Sequence, residues 1–191
     1  MKGLFRKLSL KSSLLALSII ILFCYCSCGP ALPPGTKLKY EIVAAVNNTW
    51  NFVARNPGIL VIASRPSYPV FGSQRVENEI RINEEKSQSL IEDIDYSRYF
   101  VVVIFHGETY PVEATPAKPM RVKKVWQNGD AVYILARFQP PPTFPVLPST
   151  PTPYIIIKVY KDSLTQEGRI TFTLFDEEGQ VKATTSFDFS G

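Results

Sequence analysis

Tyr99 to Phe105, YFVVVIF, is seven apolar residues in a row, four of them β-branched, closed by His106-Gly107-Glu108. No other stretch restricts the fold as strongly. A helix of that length would be short, and β-branched side chains crowd a helical turn while they fit a pleated strand. The run therefore predicts a strand buried on both faces, and the reading is that other strands cover both. Tyr154 to Tyr160, YIIIKVY, repeats the pattern. Such runs define a core. They carry no chemistry.

Further strands follow from alternation and turn residues. Lys37 to Val46 reads as one strand, Thr49 to Arg55 as a second, and Ile59 to Ala63, after Asn56-Pro57-Gly58, as a third. Gln74 to Asp95 has no Gly or Pro and is the most helix-compatible region, with Asn83 as a cap and Leu90, Ile91 and Ile94 as the buried face. Arg121 to Trp126 and Ala131 to Phe138 flank Gln127-Asn128-Gly129-Asp130, in which Asn-Gly is a hairpin signal because both positions accept positive φ. Arg169 to Phe175 and Gln180 to Phe189 form a last hairpin, with Ile170, Phe172 and Leu174 on one face. About eight strands with at most one short helix predict a mainly β fold, an antiparallel sandwich or open barrel.

The N-terminus is built differently. Lys2, Arg6, Lys7 and Lys11 precede an apolar stretch from Leu14 to Phe23, and then come Cys24, Cys26 and Cys28, the only cysteines. This is a secretory signal in build and short for a membrane span. A bacterial lipoprotein signal has a cysteine at its cleavage point after a small residue. Cys28, with Ser27 before it, is the candidate lipidation site; Cys24 and Cys26 follow the bulky Phe23 and Tyr25. A plain secretory signal and an uncleaved anchor are the other readings. The expected organisation is a signal over 1–27, a Pro/Gly-rich tether over 28–36 and a single β-rich domain over 37–191, lipid-anchored to the membrane in the cell envelope.

Of 21 Lys and Arg against 17 Asp and Glu, the four surplus cations all lie in residues 1–27. The rest of the chain is balanced, so no net bias points to nucleic acid. Catalytic equipment is sparse: His106 is the one histidine, and no cysteine follows Cys28. Zinc sites need several His or Cys, and no Gly-rich loop marks a nucleotide site. The expectation is no catalytic residue, no metal and no cofactor. Trp50 or Trp126 would be the platform if the chain instead bound carbohydrate or another small ligand.

Two Pro-rich stretches remain, Gly107 to Pro119 and Gln139 to Pro153, the second with seven prolines in fifteen residues. They cannot pair inside a sheet. Asp95-Tyr96-Ser97, the central run, Gly107-Glu108, the Asn-Gly hairpin, the Pro-rich turn and Pro153 to Val159 follow one another in an order that resembles the PrcB-type family, named for a lipoprotein subunit of a spirochaete surface protease complex. The resemblance covers about residues 95–161; where the family has a Thr-Gly-Gly-Tyr-like run, this chain has Lys118-Pro119-Met120. It implies a non-enzymatic envelope lipoprotein that binds or stabilises another surface or secreted protein, a protease among the candidates. Loops on a rigid scaffold make such contacts. The candidate contact residues are Glu108, Thr109, Tyr110 and Pro111 in one loop and Phe144, Pro145, Val146 and Leu147 in the other.

Overall fold

The two apolar runs lie side by side at the centre of one sheet. A computed structural model describes residues 31–46, 56–67, 88–107, 120–138 and 153–190, all but Ala31 and Leu32 within one unit, Pro33–Gly191. In chain order its strands are β1 (Thr36–Lys37), β2 (Tyr40–Val46), β3 (Gly58–Ile62), β4 (Tyr99–Phe105), β5 (Met120–Asn128), β6 (Ala131–Phe138), β7 (Tyr154–Tyr160), β8 (Arg169–Phe175) and β9 (Val181–Asp188). They form a four-stranded sheet, β2-β7-β4-β3, and a five-stranded sheet, β1-β5-β6-β8-β9. The protein is mainly β, and the sheets do not close into a barrel. Every pair is antiparallel except β6 with β8, which run parallel because the chain crosses to the other sheet as β7 between them.

The sheets meet face to face. Phe100, Val102 and Ile104 of β4 and Ile155, Ile157 and Val159 of β7 pack against Val125, Ile134, Ile170, Phe172 and Leu174 of the five-stranded sheet. Phe100 takes Phe172 and Phe189 edge-on, at 6.0 and 5.0 Å. The opposite face of β4 and β7 carries Val101, Val103, Phe105, Tyr154 and Ile156, and it is covered by Ile91 with Ile94 and Tyr96. These belong to a helical segment, α1, described over residues 88–92, and to the turns after it. The expectation was that strands cover both faces; among the described residues a sheet covers one and a helical turn the other. The Tyr96 hydroxyl donates to the Ile91 carbonyl, 3.0 Å, and burial, with Glu92 nearby, pushes its pKa up to about 12.

One reading is corrected: residues 37–46 are not one strand. Leu38 is fully buried and its N–H bonds the Val125 carbonyl at 2.9 Å, so the chain leaves β1 in one sheet and starts β2 in the other. In the β5–β6 hairpin Asn128 pairs with Ala131, so the turn expected over 127–130 tightens to the two-residue loop Gly129-Asp130. Gly129 has φ +59° and Asp130 a negative φ, the pattern of a type II′ turn, where glycine takes the first central position. The expected strand over 49–55 and the Asn83 cap lie outside the described residues.

Candidate functional site

One end of both sheets gathers the ends of several segments. Phe105, closing β4, pairs with Tyr154, which opens β7, and the His106 N–H donates to the Pro153 carbonyl at 2.9 Å. Met120, opening β5, pairs with Phe138, which closes β6. The His106 ring meets the Phe138 ring edge-on at 5.1 Å and so joins the two sheets at this end. Val46 closes β2 opposite Tyr154, and Gly58 opens β3 opposite Phe105. The residues that flank segments 47–55, 108–119 and 139–152 thus stand together. The parallel β6–β8 pair adds the Asp176–Gln180 turn. We refer to this as the loop end.

Crowding there dictates residue type. Gly107 leaves β4 at φ +86°, and a Cβ on it would come within 2.8 Å of the Asn56 carbonyl carbon and 2.9 Å of the Pro57 nitrogen. Only glycine lets the chain turn out past the segment that enters β3. Asp176 holds the β8–β9 turn. Its carboxylate accepts the Gln180 N–H at 2.7 Å and pairs with Lys182 at 2.7 Å. Burial works to raise that carboxyl, but the bonds from Lys182 and Gln180 outweigh it and hold the pKa below the usual range. Burial also lowers the His106 pKa to about 4, with the Lys182 charge adding to the effect. The imidazole is neutral at pH 7 and serves as packing for Phe138.

Glu108, Thr109, Tyr110, Pro111, Phe144, Pro145, Val146, Leu147 and Cys28 all lie outside the described residues. Both candidate loops nevertheless leave and rejoin the sheets at neighbouring points. Sequence reasoning missed a basic cluster beside them. Arg121 and Arg137 are directly opposed on the outer face of the five-stranded sheet, with Lys123 and Lys124 next along β5. The chain's neutral balance concealed it; pairing Arg121 with Arg137 across the hairpin would have revealed it.

A second feature is a cleft of about 360 Å³ between β2 and α1, lined by Glu41, Ile42, Val43, Leu90, Ile94, Tyr99 and Lys158 among others. Glu41 pairs with Lys158 at 2.9 Å and accepts the Tyr160 hydroxyl. That bond raises the Tyr160 pKa well above its ordinary value and, with Lys158, lowers that of Glu41. Lys158 lies 4.8 Å from the centre of the Tyr99 ring. Of the two tryptophans, Trp50 is outside the described residues, and Trp126 is fully buried with its indole N–H on the Pro33 carbonyl at 2.8 Å. Trp126 offers no open face to a sugar. No protein-family model, curated protein or solved structure matches the chain.

Proposed function

We propose that this chain is a lipid-anchored, non-enzymatic binding module of the cell envelope that holds another surface or secreted protein through its loop end. The carrying observation is the polarity of the β unit. The chain comes in at Pro33, clamped by Trp126, and β1 pairs Thr36 with Gln127 near the end of β5. The loop end lies at Met120, about 23 Å away along β5 at the usual strand rise. A tether acylated at Cys28 would attach at one end, opposite the strand ends from which the two candidate loops leave. The likeness of residues 95–161 to the PrcB-type family supports the same reading and points to a protease as the partner class.

Photo-crosslinking on intact cells of the source organism tests it. A photoreactive amino acid is placed at Tyr110, at Phe144 and, as the opposite-end control, at Asp130. The expected result is one envelope or secreted protein captured from both loop positions and absent from the control. Equal capture at all three, or none at the loops, overturns the proposal.

A further inference from the structure

The outer face of the five-stranded sheet carries a charge arrangement that the fold itself has no use for. Arg121 and Arg137 are cross-strand partners in the β5–β6 ladder, so their Cβ atoms are about 5 Å apart on one face. Like charges directly opposite each other oppose strand pairing. Lys123, the extra residue of the bulge between Val122 and Lys124, adds a third cation, and Lys124 a fourth, set 4.6 Å from the Trp126 ring. Only one carboxylate is ion-paired with them among the described residues. Glu177 meets Lys123 at 3.4 Å and Arg137 at 3.3 Å. Arg121 has no ion pair among the described residues, and the Arg137 side chain is 62% exposed.

We infer that this face binds an acidic segment of a partner protein, with Arg121 and Arg137 as the carboxylate-reading pair. The inference rests on the binding-module proposal and names the partner's chemistry. Guanidinium groups present a planar fork that matches a carboxylate in a bidentate way. Two of them side by side on adjacent strands present neighbouring forks to a carboxylate-rich segment. Glu177 holds Lys123 and Arg137 in place and leaves Arg121 open. A protein is favoured over the anchoring membrane because Arg121 and Arg137 stand at the loop end beside Met120 and Phe138, while the chain comes in near Trp126, where Lys124 and not the arginine pair lies. The patch also adjoins the Met120 and Phe138 ends of the two candidate loops, so one partner can span both.

The test uses the full chain in non-ionic detergent and a fluorescein-labelled decapeptide of glutamate, followed by anisotropy. Binding at 50 mM NaCl is expected to weaken at least tenfold in the Arg121→Gln/Arg137→Gln double variant and to persist in Lys37→Gln, a change at the opposite end. Because the substitution removes a repulsive pair, the double variant should melt no lower than the parent, which a merely structural role would not predict. Unchanged peptide binding in the double variant overturns the inference. So does tighter binding to phosphatidylglycerol vesicles or to a thymidine oligonucleotide than to the peptide. Partner capture at Tyr110 that persists undiminished in the double variant also overturns it, and leaves the binding module standing. Absence of capture in the parent chain removes the module itself.

Discussion

The His106 ring is held between the loop end's backbone and Phe138, where water cannot solvate a charge. Its pKa falls from 6.5 to about 4 on folding. Between those values the unfolded chain binds a proton that the folded chain refuses, so stability is full above pH 6.5 and declines as pH falls. Below about 4 both states are protonated and the loss is complete. The full effect is on the order of 3 kcal/mol. Carboxylates with lowered pKa values, Asp176 foremost, lose their contribution only at lower pH. Urea unfolding at pH 7, 5.5 and 4 should therefore show a decline already between the first two points. His106→Gln should flatten that part of the profile; an unchanged slope would assign the decline to other groups.

At the scale of elements, the described turn of α1, residues 88–92, depends on its packing. It is held by Ile91, fully buried against β4 and β7. Ile91→Ala should cost about 2–4 kcal/mol, and hydrogen exchange should show residues 88–96 losing protection before β4 does. If both lose protection together, α1 is part of the core's cooperative unit. Legibility varies among the elements for a physical reason. β4, β7 and β8 were readable to the residue because burial on one or both faces writes itself as a continuous or alternating apolar run. The break at Leu38 was not, since a strand that changes sheets keeps its apolar residues and only its pairing changes. The β5–β6 hairpin was legible from its Asn-Gly pair, but the tightness of its loop was not, because only the pairing of Asn128 with Ala131 reduces it to Gly129-Asp130. The helical cover over the second face of β4 was legible at Ile91 and Ile94, which the sequence places on the buried face of a helix; that this face lies on β4 and β7 was not. Of the candidate site, the sequence disclosed two Pro-rich loops, while their common end depended on pairings such as Phe105 with Tyr154 and Met120 with Phe138.

For the molecule as a whole, balanced composition proved a poor guide to local charge. The cations of β5 and β6 are collected on one face because the hairpin superposes Arg121 on Arg137, and no sum over the chain records that. Polarity is the larger consequence. The chain comes in near Trp126, the turn at Gly129-Asp130 lies at that same end, and the Asp176–Gln180 turn lies at the other. Under the lipoprotein proposal Cys28 is acylated and no cysteine follows it, so a single introduced thiol can report position. Asp130→Cys and Glu178→Cys, each labelled with a fluorescent donor, would be placed in vesicles that carry a headgroup acceptor. The two sites differ by a strand length, about 20 Å, which is a large fraction of a typical transfer distance. The donor at 130 should transfer strongly and the donor at 178 weakly, and Cys28→Ser should abolish transfer at both by releasing the protein. Equal transfer at 130 and 178 would mean that the β unit lies along the membrane, which would bring the Arg121–Arg137 face within reach of lipid headgroups and turn its partner from a protein into the bilayer.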